Sequence, residues 1–117
     1  MTRSEAAVRR GQIWWVNFEP AFGGEIRKTR PAVIVSNNAA NKYLNRVQVV
    51  PLSSSVGKLY PSEALVTVKG KPNKAKADQL ATVSKSRLER RLGKATPAQM
   101  KAIERAIRIQ LGLGPGT

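Results

Sequence analysis

Arg30 stands immediately before Pro31, three serines run from Ser53 to Ser55, and Asp78 is followed by Gln79 and preceded two residues earlier by Lys76. These are the side chains whose types and spacing could act on a phosphodiester. A guanidinium is a planar, always-charged fork that suits the oxygens of a pentacoordinate phosphorus better than a point-charge ammonium does. Serine hydroxyls at a strand end can donate to a phosphoryl oxygen. An aspartate sharing a strand face with a lysine is either a surface ion pair or an acid–base or orienting pair. Each feature also has a plain explanation: arginines at strand starts are commonly solvated, and serines commonly terminate strands.

What the chain lacks narrows the chemistry further. It has no cysteine and no histidine, which removes thiolate metal sites, disulfides, cysteine nucleophiles, the serine-hydrolase base and any two-histidine ribonuclease mechanism. The seven acids, Glu5, Glu19, Glu25, Glu63, Asp78, Glu89 and Glu104, are scattered. No close pair of the kind a magnesium-dependent nuclease requires is visible, so neither a metal nor another cofactor is expected. Gly23-Gly24 is not followed by the Gly-Lys-Ser/Thr of a phosphate-binding loop.

Charge points to the partner. Twenty-one Lys and Arg oppose seven Asp and Glu, a formal net charge of +14 over 117 residues. Lys69, Lys71, Lys74 and Lys76 crowd one stretch, and Lys85, Arg87, Arg90, Arg91 and Lys94 crowd another against Glu89 alone. Such density steers polyanions to a surface and binds phosphates through counterion release. A simply solvated basic face is the alternative. No apolar run is long enough to span a membrane, and MTRSEAAVRR lacks the apolar core of a secretory signal, so a cytoplasmic location is expected.

The elements that must hold these groups are mostly strands. Residues 12–18 (QIWWVNF) carry large apolar groups on both period-2 faces, which predicts a strand covered on both sides. The adjacent tryptophans read more readily as core plus rim than as a base-stacking platform. Residues 19–30, with Pro20 and Gly23-Gly24, read as a long loop of the functional or mobile kind. Further strands are expected at 31–36, 46–52, 63–68 and 75–83, with a short one at 90–94. Gly70, Pro72 and Asn73 read as a break. A helix should start at Thr96, with Pro97 in its first turn and Gln99 completing a capping box. It should bury Met100, Ile103, Ala106, Ile107 and Leu111, and stop at Gly112. Short strands and one terminal helix predict a small, strongly bent antiparallel sheet closing on itself.

At these residues the chain resembles a known family. RGQIWWV at 10–16, continued by Asn17, Phe18, Glu19 and Pro20, is similar to the opening of the MazF/PemK (Kid) toxin endoribonucleases. Gly24-Glu25, TRPAVIV at 29–35, VPLSS at 50–54, and Ala77-Asp78-Gln79 followed by Thr82 resemble that family's later motifs, in order. The closing helix around Ile107 and Leu111 fits as well. The resemblance covers about residues 9–113. It leaves residues 1–8 as an N-terminal extension, expected to be flexible, and 114–117 as a short tail of a single domain.

The resemblance implies an SH3-like small β-barrel, mainly β with a C-terminal helix, acting as a homodimer. It implies metal-independent, sequence-specific cleavage of single-stranded RNA, leaving 2′,3′-cyclic phosphate and 5′-hydroxyl ends. It also implies inhibition by a MazE-like antitoxin with an acidic tail. Carried over by position, Arg30, Ser53 and Asp78 fall on catalytic positions. Lys76, Gln79, Glu25, Lys28, Ser54 and Thr82 become RNA-binding or supporting candidates. Ser53 replaces a family threonine, Lys76 falls where some members have an arginine, and Ala81 stands where an RNA-contacting arginine is common. Two other readings remain: a CcdB-like gyrase-targeting toxin, and a non-catalytic basic RNA-binding module.

Overall fold

The computed structural model describes residues 8–18 and 29–114. Most of the expected 19–30 loop, with Glu25 and Lys28, lies outside the described residues, as do 1–7 and 115–117.

Among the described residues seven strands form, β1 (Gln12–Asn17), β2 (Thr29–Ile34), β3 (Arg46–Ser53), β4 (Glu63–Val68), β5 (Lys71–Lys76), β6 (Ala81–Ser84) and β7 (Leu88–Lys94). A short helix α1 (Asn38–Tyr43) joins β2 to β3, and α2 (Pro97–Leu111) closes the chain. All strand pairs are antiparallel.

The long strand β3 organises the fold because its two halves have different partners. Its first half, Arg46–Val49, pairs with β6, while Leu52 and Ser53 pair with β5. One sheet therefore runs β6-β3-β2-β1-β7, and its two edge strands are joined by a three-residue 3-10 turn, Lys85–Arg87. A connection that short bends the sheet back on itself into a curled half-barrel, the form taken by the strongly bent antiparallel sheet expected of the sequence. Its concave side holds Trp14, Val16, Ala32, Ile34, Val47, Val49, Val83 and Leu88. Val8, on the N-terminal side of the expected domain start, is buried in the same cluster.

The opposite face carries a second core. Ile13, Val33, Val50, Leu52, Ala64, Val66 and Ala75 pack with Ile103 of α2. Apolar residues on both faces of β1, β2 and β3 are thus explained: one set fills the barrel, the other meets the helix.

Helix α2 begins as its capping residues dictate. Thr96 Oγ1 accepts from the Gln99 N–H at 3.1 Å, and Gln99 Oε1 accepts from the Thr96 N–H at 2.9 Å. It ends at Gly112 with φ 67°, a left-handed conformation that costs glycine little. Ile103 and Ala106 are buried, and Met100 and Ile107 pack beside them. Leu111 departs from the expected stripe and is 53 % exposed, since the sheet does not extend beneath the last turn.

Two expectations are corrected. The strand read over 75–83 is two strands, β5 and β6, split by the 3-10 turn Ala77–Gln79. The split follows from β3, which offers separate partners to the two segments. The break read at Gly70, Pro72 and Asn73 is a tight hairpin instead. Lys69 and Gly70 both have positive φ, at 51° and 78°, between the paired Val68 and Lys71. That is the geometry a two-residue hairpin turn demands. Helix α1 is unheralded because six residues are too few to show a helical apolar period. Asn37 caps it, accepting from the Ala40 N–H at 2.8 Å.

Candidate active site

Strand register brings the phosphate-directed groups together. In the β2–β3 ladder Ala32 faces Pro51, so continuing the same register by two residues sets Arg30 beside Ser53. On its other side Ser53 is the ladder partner of Lys74 in β5. Ser53 and Lys74 are thus direct cross-strand neighbours, and Arg30, two residues past the end of the β2–β3 ladder, extends their row toward a cleft it shares with Ser53. One step along β5's face, Lys76 is the partner of Glu63 in β4.

The start of this row opens into a cleft of about 420 Å³ lined by Trp15, Thr29, Arg30, Pro31, Leu52, Ser53, Ser54 and Asn73. The Arg30 side chain makes no hydrogen bond or ion pair among the described residues, so its five guanidinium donors are uncommitted there. The Ser53 hydroxyl oxygen accepts from the Ser55 N–H at 3.2 Å, which leaves its proton available to donate. Trp15 presents half-buried indole to the same space. Trp14, by contrast, is buried and donates through Nε1 to Gln12 Oε1 at 3.0 Å.

Beside the cleft stands a buried ion cluster. Glu63 receives Lys74 Nζ on Oε1 and Lys76 Nζ on Oε2, each at 3.0 Å, and its side chain is only 5 % exposed. Oε1 also accepts from the Tyr60 N–H at 2.9 Å. The Tyr60 N–H, with help from the two ammoniums and against the cost of burial, lowers the Glu63 pKa to about 2. The hydrogen bond to Glu63 raises the Lys76 pKa; Asp78 adds to that rise and Arg30 opposes it. Lys76 thus lies within electrostatic reach of both catalytic candidates.

A larger groove of about 610 Å³ runs between α2 and β4, lined by apolar groups including Leu59, Tyr60, Leu65, Ala102 and Ile109 together with Glu63, Gln99 and Arg105. It holds neither Arg30 nor Ser53, which line the smaller cleft. Among the described residues no three His, Cys, Asp or Glu side chains gather to hold a metal ion. None of the described helices is long and apolar enough to cross a membrane.

A family model of PemK-like, MazF-like toxins of type II toxin–antitoxin systems matches residues 9–111. The chain belongs to this toxin family. Endoribonuclease MazF9 of Mycobacterium tuberculosis is 36 % identical over 115 residues, covering 91 % of this chain and 98 % of that protein. A mycobacterial endoribonuclease solved in complex with its cognate antitoxin superposes with a TM-score of 0.77 at 30 % identity, over 92 % of this chain and 97 % of that one. MazF from Deinococcus radiodurans gives a TM-score of 0.74 at 27 % identity, over 90 % and 96 % of the respective chains.

In this toxin the candidate residues divide into three groups. Arg30, Ser53 and Ser54 share the cleft. Lys76 stands next to it and bonds to Glu63, while Asp78, read as its partner on a shared strand face, acts on it through charge without a hydrogen bond. Asp78 and Gln79 occupy the exposed 3-10 turn, where the period-2 relation to Lys76 no longer holds. Thr82 is on β6 against the other half of β3, where its hydroxyl accepts from Gln48 Nε2 at 3.0 Å. Five residues of strand separate Gln48 from Ser53, a path of roughly 16 Å, so Thr82 is not part of the cleft.

Sequence reasoning passed over Trp15, Asn73, Lys74 and Glu63 as site residues. A signal existed for the last two. Lys74 and Lys76 alternate at strand spacing, and Glu63 is the acid opening the strand that precedes them.

Proposed function

We propose that this chain is the endoribonuclease of a type II toxin–antitoxin pair, acting in the cytoplasm on single-stranded RNA. The carrying observation is that Arg30, uncommitted to any described residue, and Ser53 line one cleft. The ribose 2′-oxygen attacks its own 3′-phosphorus in line, the P–O5′ bond breaks, and a 2′,3′-cyclic phosphate and a 5′-hydroxyl remain. One proton leaves the 2′-oxygen and one reaches the departing 5′-oxygen. RNA brings its own nucleophile, so the protein's share is positioning and charge stabilisation.

In this reading Arg30 is the main electrostatic group, meeting the non-bridging oxygens with a bidentate fork. Ser53 donates its hydroxyl to the same phosphoryl group, with Ser54 supporting the strand. Asp78 acts as base or as orienter of Arg30 when RNA is bound, and Gln79 contacts the strand beside it. Trp15 offers a stacking face for a base next to the scissile phosphate, the mode by which single strands are commonly held. Composition favours a metal-independent route, since histidine and cysteine are absent and the acids are dispersed.

The partners follow the family: a homodimer, and a MazE-like antitoxin whose acidic segment competes for the basic cleft. Exposed Tyr60, Leu65, Ile109, Leu111 and Leu113 supply apolar surface for such contacts.

End-mapping tests the reaction. The purified protein should cut RNA in EDTA and leave cyclic phosphate and 5′-hydroxyl ends. An oligonucleotide with 2′-deoxyribose at the cut site should bind and stay intact. Fragments ending in 3′-hydroxyl, or a requirement for added magnesium, would overturn the mechanism.

A further inference from the structure

The ion cluster beside the cleft treats its two lysines unequally. Lys74 Nζ donates to Glu63 Oε1 at 3.0 Å and to the Lys58 carbonyl at 2.9 Å. It also lies 5.7 Å from the Tyr60 ring centroid, and its side chain is 10 % exposed. Lys76 Nζ donates only to Glu63 Oε2 among the described residues, and its side chain is 23 % exposed. Two of its three N–H groups are uncommitted there.

One carboxylate between two ammoniums leaves a surplus positive charge. Because Lys74 spends two of its three donors inside the protein and is the more buried of the two, that surplus is presented at Lys76. A lysine on a free four-carbon stem would wander; here the carboxylate, itself fixed by the Tyr60 N–H, holds it at one point. Burying a carboxylate this completely is costly and contributes little net stability when it is paired, whereas specifying one geometry is a known use of such clusters.

We propose that Glu63 is a positioning residue of the cleavage site, holding Lys76 as a preset cation for an RNA phosphate flanking the one that reacts. The proposal rests on the endoribonuclease reading above. Glu63 touches no substrate; Lys76 does. The row Arg30–Ser53–Lys74, with Lys76 one step further along β5, sets the direction in which the RNA backbone crosses the sheet.

A double-mutant cycle on the full chain tests this, using RNA cleavage as the readout. Glu63→Gln should lower kcat/KM about tenfold, the loss of one oriented charge-assisted contact. Lys76→Gln should lower it at least as much, and the double variant should be no slower than Lys76→Gln alone. If the two effects multiply, Glu63 does not act through Lys76 and the proposal fails.

Should Glu63→Gln not fold, the wild-type lysine ammonium signals decide. With a 2′-deoxy-blocked oligonucleotide, Lys76 Nζ should give a water-protected NMR signal that shifts on binding, while Lys74 Nζ shifts less. An unprotected, unshifted Lys76 signal overturns the proposal. A wild-type protein that cuts no RNA overturns the functional reading and this inference with it. A wild type that cuts while the two changes multiply overturns this inference alone.

Discussion

Ser53 and Lys74 are direct partners across the β3–β5 ladder, so the hydroxyl proposed to meet the reacting phosphorus stands beside an ammonium that is already tied down. The serine therefore sits on a rigid strand pair while its own proton is unclaimed. Ser53→Ala should lower kcat by roughly 100-fold, the usual cost of one lost transition-state donor, with little change in thermal midpoint. Ser53→Thr should keep most of the rate, because the hydroxyl is retained. Single-turnover cleavage of a defined RNA measures both, and an unimpaired Ser53→Ala would remove the serine from the mechanism.

Arg30 is judged by geometry as well as charge. Arg30→Ala should lose on the order of 100–1,000-fold in rate. Arg30→Lys should recover little of that, since an ammonium cannot span two phosphoryl oxygens. Circular dichroism should be unchanged in both variants, because the guanidinium holds no described residue in place. A lysine variant with near-normal cleavage would show that charge alone suffices.

Trp14 and Trp15 make a separable pair of fluorophores. Trp14 is sealed in the barrel and bonded to Gln12, whereas Trp15 lines the cleft. Binding of a cleavage-blocked oligonucleotide should quench wild-type emission, and Trp15→Ala should abolish that quench. The same variant should weaken binding by about 1–3 kcal/mol, the worth of one base stacked on an aromatic ring. Quenching that survives in Trp15→Ala would place the bases elsewhere.

How much of this was legible before the fold was known depended on whether the signal was local. Helix α2 could be read to the residue at its start, because Thr96 and Gln99 bond to each other and Pro97 suits the first turn. Strand β4 and most of β1, β2 and β3 followed from β-branched runs. The split of 75–83 into β5 and β6 was not local, since it depends on the two halves of β3 taking different partners. For the same reason Arg30 and Ser53 could be named individually, but their meeting is a property of register. Glu63 looked like one of several scattered acids because its two lysines arrive from the next strand of the hairpin.

Glu63 also predicts an acid limit to stability. Its folded pKa, about 2, lies below the ordinary value of 4.5, so the carboxylate binds its proton more readily once the chain unfolds. Its contribution is fully present above pH 4.5 and is lost as pH falls from there toward 2. The thermal midpoint should drop through that window, and Glu63→Gln should show a shallower drop over the same range. At neutral pH that variant should be less stable by about 3 kcal/mol, since the buried Lys74 ammonium and the half-buried Lys76 lose their counter-charge. Equal acid sensitivity in the two proteins would mean that other carboxylates set the limit.

The helix offers the converse case, where stability should change and chemistry should not. Ile103 is fully buried between α2 and the sheet, and Thr96 caps the helix start. Ile103→Ala should cost roughly 2–5 kcal/mol through lost burial and the cavity left behind. Thr96→Ala should cost about 1 kcal/mol, because an orphan N–H at the helix start loses its acceptor. Neither residue lines the Arg30 cleft, so the folded fraction of each variant should cut RNA at the wild-type rate well below its melting temperature. Urea titration paired with cleavage kinetics on the same samples reads both quantities. A large rate loss in a fully folded Thr96→Ala protein would mean that the end of α2 near the β7 junction bears on the cleft after all.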